Sequence, residues 1–221
     1  MENQLSSRNS PCCAVLMATT GRRDLLRSVS LPSVRKQSAA PVLLVLVADR
    51  CVIESEFACE MAAARGIEFV LLRNLREAGA AGAWNTGLEF LASRGFDGFV
   101  AMLDDDDEWD ATHVAANLAA ARRTNATVVV SGLRFLRNGE HRERVIPQAY
   151  TDRMFLVGNP GWQGSNTFAA MRALTAVGGF RDGLASANDR DLAIRLLRCP
   201  EVRVAYTGEW TATWHQSSTR P

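Results

Sequence analysis

The stretch FDGFVAMLDDDDEW, residues 96–109, joins a candidate strand directly to an acidic run. Its first part, residues 96–103, has the apolar character of a buried strand. Its second part, residues 104–108, places five carboxylates in succession, and Trp109 follows them. Adjacent carboxylates repel one another and none is needed to end a strand, so the sequence predicts a neutralising charge at this point.

Alternate carboxylates of the acidic run form a candidate metal site. In an extended backbone residues two apart project to the same side, so Asp104 and Asp106 can converge on one ligand while Asp105 points away. Hard cations such as Mg²⁺ or Mn²⁺ prefer such oxygen ligands and complete their shell with water or phosphate. The alternative is a solvated acidic loop that stabilises the N-terminus of the next helix. An EF-hand loop is excluded because Trp109 stands where that loop needs glycine.

Upstream of the acidic run, apolar segments alternate with amphipathic ones. The pattern predicts strands at residues 13–17, 42–48 and 67–72, and helices at residues 24–37, 53–65 and 78–93. Such alternation predicts an α/β fold with a mainly parallel central sheet and helices on both faces. Ligands of such sheets bind at the carboxyl ends of the strands. The candidate positions there are Thr19, Asp49, Asn74 and Asp104.

The second half of the chain has a different pattern. A helix is predicted at residues 112–123 and a β-hairpin at residues 127–144, turning at Asn138-Gly139. Two further helices are expected at residues 173–177 and 189–198, the first closed by Gly178-Gly179, and a strand at residues 202–206. No linker separates the halves, so 221 residues are interpreted as one domain.

Composition and motifs exclude several classes of protein. The formal net charge of +1 does not favour a nucleic-acid partner. The longest apolar run, residues 42–48, is far shorter than the roughly 20 residues that cross a bilayer. The polar start carries no secretory signal, so a cytoplasmic protein without a transmembrane segment is expected. Five cysteines without CxxC spacing argue against disulfides and structural zinc, and GxxxxGK[ST], GxGxxG, HExxH and GxSxG do not occur.

Seven short segments in chain order carry a resemblance. They are TTGR at residues 19–22, Asp49, Arg73-Asn74 followed by GAAGAWNTGL, LDDDDEW, GWQGSNTF at 161–168, GGFR at 178–181 and NDRDLAIRLL at 188–197. In this order the chain resembles a family 2 glycosyltransferase of the GT-A fold. The resemblance implies one glycosyltransferase domain over residues 1–221. Residues 11–110 would form its nucleotide-sugar-binding half, and residues 111–221, with a small hairpin subregion, its acceptor-binding half.

The resemblance also implies roles on the donor side. Thr19 and Asp49 match the residues that hold the base of a nucleoside diphosphate sugar, and Asp49 favours UDP or dTDP. The other positions that match nucleotide or donor-sugar contacts are Arg22, Arg73, Asn74, Asn85, Asp104 and Asp105. LDDDDEW matches the family's Asp-x-Asp signature, which places Asp106 on a Mn²⁺ or Mg²⁺ ion. His215 matches a further metal ligand in a loop that closes over the diphosphate, and Arg220 follows it. For Gly79 and Gly82, close helix packing is the alternative to ligand contact.

On the acceptor side the resemblance implies a catalytic base. Asp189 matches that base and Asp191 its supporting acid, whereas Asn188 departs from the family's glutamate. The expected reaction is a single displacement with inversion, in which the base takes the proton of an acceptor hydroxyl. The alternative is structural: Asn188 caps the helix, and both aspartates favour its dipole.

Aromatic and histidine side chains complete the predictions. Trp162 is expected to contact the acceptor, because aromatic faces pack against sugar rings. Gln163 and Asn188 are expected to contact the acceptor as well. Trp109 is either a second platform or a core residue. His113 and His141 are expected on the surface, on a helix and in the hairpin.

Two other functions stay open at this stage. A nucleotidyltransferase also combines acidic residues, a cation and a nucleotide on an α/β sheet, although no basic glycine-rich loop follows the first strand. A non-catalytic relative that binds a nucleotide sugar or a partner is compatible with Asn188. The donor sugar, the acceptor hydroxyl and the oligomeric state are not determined by these residues.

Overall fold

A computed structural model of the chain describes residues 12–53, 66–147 and 149–216. The helix predicted at residues 53–65 falls outside these ranges apart from its first residue, and so does Arg220. Within these ranges one sheet has nine strands, in the order β3 (Glu68–Arg73), β2 (Leu43–Ala48), β1 (Cys13–Thr19), β4 (Phe99–Asp104), β8 (Thr167–Ala170), β6 (Val128–Arg137), β9 (Val204–His215) and β5 (Glu108–Trp109), with β7 (Glu140–Glu143) paired to β6.

The first half of the sheet is parallel. Its strands are β1 Cys13–Thr19, β2 Leu43–Ala48, β3 Glu68–Arg73 and β4 Phe99–Asp104. β1 lies between β2 and β4, and β3 pairs with β2, all in parallel register. Every residue of β2 is buried, as expected for a parallel strand covered on both faces. The parallel sheet predicted from the alternating pattern is therefore confirmed.

The first connection is helical but irregular. It consists of α1 Arg23–Leu25, a π-helical turn at Leu26–Ser30 and α2 Leu31–Arg35. Pro32 is the second residue of α2 and follows the π-helical turn, so it lies inside a continuous helical run from Arg23 to Arg35. A proline ring clashes with the carbonyl four residues earlier in a regular α-helix, and the irregular π-helical turn lies just before Pro32.

The long helix α3 Ala80–Ser93 packs across β1 and β2. Its glycines allow a close approach, since a Cβ at Gly87 would overlap the side chain of Leu16 in β1. Small residues on this face therefore set the depth at which the helix lies on the sheet.

The second half of the sheet is mixed. β8 Thr167–Ala170 pairs antiparallel with β4 and with β6 Val128–Arg137, and β6 runs parallel to β9 Val204–His215. β7 Glu140–Glu143 closes the predicted hairpin, and both turn residues, Asn138 and Gly139, have left-handed φ angles of 52° and 79°. The two-residue strand β5 Glu108–Trp109 pairs with β9. Strands β5 and β8 and the full length of β9 are not predicted by the sequence pattern.

Four more helices complete the described chain: α4 His113–Thr124, α5 Asp152–Val157, α6 Met171–Ala176 and α7 Asn188–Arg198. Apolar residues cover both faces of the sheet, with Leu44 and Leu46 of β2 in one core and Val45 and Val47 in the other. Helices on both faces are thus confirmed. None of the helices in the described ranges is both long and apolar enough to cross a bilayer.

The prediction that His113 is a surface residue is wrong. His113 is fully buried, because it begins α4 on the side that faces the sheet. Its ring stacks on Trp109 with 4.3 Å between centroids, and Nδ1 lies 2.8 Å from Thr211 Oγ1. Burial lowers the pKa of His113 to about 3, so the ring is neutral in the folded protein. His141 is exposed in β7, as predicted.

Candidate active site

A cleft of about 540 Å³ opens at the carboxyl ends of β1, β2 and β4. Its walls come from both halves of the chain, as expected for the edge of a parallel sheet where the strands end. Of the predicted donor-binding, acceptor-binding and catalytic side chains, eight line it: Thr19, Arg22, Asp49, Asp104, Asp105, Gln163, Asn188 and Asp189. Trp84 and the backbone around Gly79, Gly164 and Ala187 also face the cleft.

Three carboxylates meet at the end of β4. Asp104, Asp106 and Asp107, here called the acidic trio, each offer one oxygen, and these oxygens lie within 4.8 Å of one another. The predicted convergence of Asp104 and Asp106 is confirmed, while Asp105 is directed to Thr19. Asp107 was not predicted, because the chain leaves the extended conformation after β4. The amide of Asp107 donates to the carbonyl of Asp104 at 3.2 Å, and this turn brings its carboxylate back.

Asp107 is the most deeply held member of the acidic trio. Its Oδ2 accepts a hydrogen bond from Ser165 Oγ at 2.6 Å, and its Oδ1 accepts one from the amide of His215 at 3.1 Å. Burial and the neighbouring charge of Asp104 raise the pKa of Asp107 well above its ordinary value, although both hydrogen bonds oppose the shift. The trio therefore concentrates negative charge that a cation would stabilise.

Arg22 supplies positive charge on the β1 side of the acidic run. Its Nη1 donates to Asp106 Oδ2 at 2.5 Å, and its Nη2 donates to Asp105. Asp105 also accepts from Thr19 Oγ1 at 2.6 Å. Burial by itself would lower the pKa of Arg22, but the hydrogen bonds and charges of the two aspartates raise it above its ordinary value. Arg22 thus stays charged, and the counter-charge predicted for the acidic run is present.

Asp49 lies at the end of β2 and is 3% exposed. Its Oδ1 accepts from Asn74 Nδ2 at 2.8 Å, and its Oδ2 accepts from the amide of Gly79 at 3.0 Å. The amide oxygen of Asn74 in turn accepts from Thr86 Oγ1 at 3.0 Å. Asn74 therefore supports Asp49 from behind. Arg73 is exposed at the end of β3, outside the lining of the cleft.

Asn85 connects α3 to the loop after α6. Its Nδ2 donates to the carbonyl of Phe180 at 2.9 Å and to Asp182 Oδ1 at 2.8 Å, and its Oδ1 accepts from the amide of Phe180 at 2.8 Å. Asn85 is absent from the lining of the cleft, so its contacts in the structure are those of a loop anchor. At Gly82, a Cβ would overlap the carbonyl of Glu77, which agrees with the close-packing alternative.

Asp189, which also lines the cleft, lies half-buried in the first turn of α7. Its Oδ1 accepts from the amide of Arg190 at 2.8 Å, and its Oδ2 is 3.4 Å from Asn159 Nδ2. Burial raises the pKa of Asp189, and these hydrogen bonds lower it by a smaller amount. The carboxylate is therefore a stronger base than an exposed aspartate.

Asp191 has a different environment. It accepts from Arg195 Nε at 2.8 Å and pairs with Arg181 Nη1 at 3.1 Å. Arg195 Nη1 also donates to the carbonyls of Val177 and Gly179, each at 2.7 Å. Asp191 therefore ties α7 to the loop that precedes it and does not line the cleft.

Asn188 is the first residue of α7 and lines the cleft. Its side chain makes no capping hydrogen bond, and the preceding Ala187 adopts a left-handed φ of 61°. Within the described part of the chain, its buried Oδ1 has no hydrogen-bond partner. The structure therefore does not support the interpretation that the Asn188 side chain caps α7.

The residues predicted on the acceptor side separate into two groups. Gln163 lines the cleft. Trp162 is 1% exposed, donates from Nε1 to Thr167 Oγ1 at 2.8 Å and packs against Tyr150 and Phe155. The structure therefore puts its ring in the core beneath the loop. Trp109 is also a core residue and donates from Nε1 to the carbonyl of Ser165 at 2.6 Å.

His215 ends β9 beside the acidic run. Its Nε2 lies 3.1 Å from Glu108 Oε1, and it is not among the side chains that converge in the acidic trio. Its backbone amide, rather than its ring, contacts the trio through Asp107. Sequence reasoning missed Asp107, Ser165 and Asn159, since their contacts depend on turns and on distant segments.

Several solved structures resemble this chain in fold. TarS of S. aureus, residues 1–349 with UDP-GlcNAc, superposes with a TM-score of 0.72 at 16% identity over 95% of this chain. The mannosyltransferase PcManGT from Pyrobaculum calidifontis, with GDP-Man and Mn²⁺, gives 0.69 at 15% identity over 95% of this chain. The chain spans about 60% of the first protein and 58% of the second. No curated protein matches it.

These likenesses define a GT-A fold, in agreement with the expectation from the sequence. The model of the family described as "Glycosyl transferase family 2" matches residues 15–197, which include the acidic trio and Asp189. The chain belongs to glycosyl transferase family 2.

Proposed function

We propose that this chain transfers a sugar from a nucleoside diphosphate sugar to an acceptor hydroxyl, with the help of a divalent cation. The observation that carries the proposal is that one cleft is lined both by Asp104 of the acidic trio and by Asp189, whose pKa is raised. Residues 11–110 form the nucleotide-sugar-binding half and residues 111–221 the acceptor-binding half.

The acidic trio fits a hard cation. Its donors are all carboxylate oxygens, which suit Mn²⁺ and Mg²⁺ and do not favour Zn²⁺, which prefers nitrogen and sulfur. Asp104, Asp106 and Asp107 would hold the cation, and His215 would be a further ligand if its ring moved away from Glu108. When bound, the cation supplies positive charge that stabilises the departing diphosphate. The Mn²⁺ named with the Pyrobaculum enzyme supports this choice.

The nucleotide enters between the ends of β1 and β2. Asp49 accepts hydrogen bonds from the base, and Thr19 and Asn74 keep the neighbouring carboxylates in place through the contacts described above. We propose UDP or dTDP, whose bases carry an N–H group that can donate to this carboxylate. The relatives bound to UDP-GlcNAc and to GDP-Man support a nucleotide-sugar donor without selecting the base.

Asp189 acts as the general base. Burial raises its pKa, so its carboxylate is a stronger proton acceptor than that of an exposed aspartate. It accepts the proton of the acceptor hydroxyl as that oxygen attacks the anomeric carbon, and the C–O bond to the diphosphate breaks. Attack from the side opposite the leaving group inverts the anomeric centre. Gln163 and Asn188 line the same cleft and contact the acceptor.

The experiment is a calorimetric titration of nucleoside diphosphates and their sugars, with and without Mn²⁺, on the wild type and Asp106→Ala. Metal-dependent binding of one nucleotide, lost in the variant, would support the donor site. Product analysis then separates the candidates, since a glycosyltransferase releases nucleoside diphosphate and a nucleotidyltransferase releases pyrophosphate. Binding without turnover toward any hydroxyl acceptor would favour the non-catalytic alternative.

A further inference from the structure

The guanidinium of Arg22 lies across the acidic run at the edge of the cleft. Its side chain is 39% exposed, whereas the side chains of its two partners, Asp105 and Asp106, are 2% and 6% exposed. A half-exposed cation on a flexible stem therefore neutralises two buried anions. Because the head group also lines the cleft, it can move without disturbing the core.

Asp106 belongs to two groups at once. It is a member of the acidic trio, whose oxygens lie within 4.8 Å of one another, and its Oδ2 accepts from Arg22 Nη1 at 2.5 Å. A divalent cation held by the trio would share this carboxylate with the guanidinium. Two positive charges on one carboxylate repel each other, so a divalent cation on Asp106 weakens the ion pair between Asp106 and Arg22.

The second partner of Arg22 provides an anchor for such a movement. Asp105 is held by Thr19 Oγ1 at 2.6 Å, and the hydroxyl oxygen of Thr19 accepts from the amide of Gly21 at 3.0 Å. The Arg22–Asp105 contact can therefore persist while Nη1 leaves Asp106. A guanidinium released on one side presents N–H donors in a geometry that matches two oxygens of a phosphate.

We propose that Arg22 is the resident counter-cation of the metal-free cleft, which a divalent cation displaces from Asp106 and thereby transfers to the diphosphate of the donor. This inference rests on the proposed function only for the identity of the anion. The competition between Arg22 and the metal stands on the geometry of the acidic run itself.

The first test titrates Mn²⁺ alone, without nucleotide, and follows the free ion by electron paramagnetic resonance. Arg22→Met removes the competing charge at nearly constant length, and Arg23→Met removes the same charge from the exposed neighbouring residue. Mn²⁺ is expected to bind Arg22→Met about tenfold more tightly than the wild type, equivalent to about 1.4 kcal/mol. Arg23→Met is expected to stay within about twofold, since exposed charges are screened.

The second test titrates inorganic pyrophosphate at saturating Mn²⁺. Arg22→Met is expected to bind it about tenfold more weakly, and Arg22→Lys is expected to bind it more weakly while its Mn²⁺ affinity stays near that of the wild type. The lysine variant also serves if the methionine variant fails to fold, which circular dichroism would show.

Equal Mn²⁺ affinities in Arg22→Met and Arg23→Met would overturn the inference, as would unchanged pyrophosphate affinity in both Arg22 variants. Absence of Mn²⁺ binding in all proteins would overturn it too. Sugar transfer in metal-free buffer would then support the proposed transferase activity without a divalent cation. Conversely, the expected Mn²⁺ and pyrophosphate shifts without transfer to any acceptor would support the role of Arg22 and contradict the proposed reaction.

Discussion

Asn159 Nδ2 lies 3.4 Å from Asp189 Oδ2 and joins the loop before the buried Trp162 to the first turn of α7. The same side chain organises its own loop, since its Oδ1 accepts from the amides of Gly161 and Trp162 at 2.8 and 3.0 Å. Asn159 is therefore a positioning residue for Asp189, and it stabilises the ionised form of that carboxylate.

Replacing Asp189 tests its role as the base. Asp189→Asn keeps the shape and removes the proton acceptor, so kcat is expected to fall about 10²–10⁴-fold while calorimetric donor affinity is unchanged. Asp97→Asn, a matched change at an exposed aspartate, should leave kcat as in the wild type. Retained turnover in Asp189→Asn would favour the structural interpretation of this helix start.

The pH profile tests Asn159. Asp189 must be ionised to accept a proton, so kcat/KM falls as the pH drops through its folded pKa, and burial places this acid limb above the ordinary aspartate value of 3.8. Asn159→Leu removes a hydrogen bond that lowers that pKa, so the limb is expected to move to higher pH. A purely structural role would lower kcat/KM at every pH and leave the limb where it is.

His113 gives a prediction about stability. Its pKa is about 3 in the folded protein, below the ordinary 6.5, so the unfolded chain binds one more proton between these values and stability rises with pH there. His113→Phe is expected to remove up to about 1.4 kcal/mol per pH unit of this dependence between pH 5 and 6.5. Urea denaturation at several pH values measures it. His141→Gln, at an exposed histidine, should keep the slope of the wild type.

Gly82 tests the packing of α3 near the cleft. A Cβ at this position would overlap the backbone carbonyl of Glu77, which cannot move as a side chain tip can, so Gly82→Ala is expected to cost about 1–3 kcal/mol of unfolding free energy. Gly158 has an extended backbone and open space around it, so Gly158→Ala is the control and should be nearly neutral. Equal urea midpoints for the two variants would contradict the packing argument.

The contacts around the base show why part of the site escapes sequence reasoning. Asp189 carries a local signature, an acid at the start of an amphipathic segment, and so it is recognisable from its neighbours. Asn159 has no such signature. Its partner Asp189 is 30 residues away, and their contact depends on the conformation of the loop that carries Asn159. Asp107 was missed for a related reason: a turn after Asp104 replaces the strand alternation on which the prediction depended.

The sequence by itself determined the parallel strands and the hairpin turn at Asn138-Gly139, because continuous apolar runs and turn residues act through their immediate neighbours. Asp104 and Asp106 converge as predicted, but the turn after Asp104 brings them together rather than strand alternation. Only the tertiary structure decided that the ring of Trp162 lies in the core, that His113 is buried and that Arg22 bridges Asp105 and Asp106. These outcomes depend on which distant segments cover a side chain. Burial and pairing across the sheet arise only when the chain is packed, so local sequence patterns do not predict them.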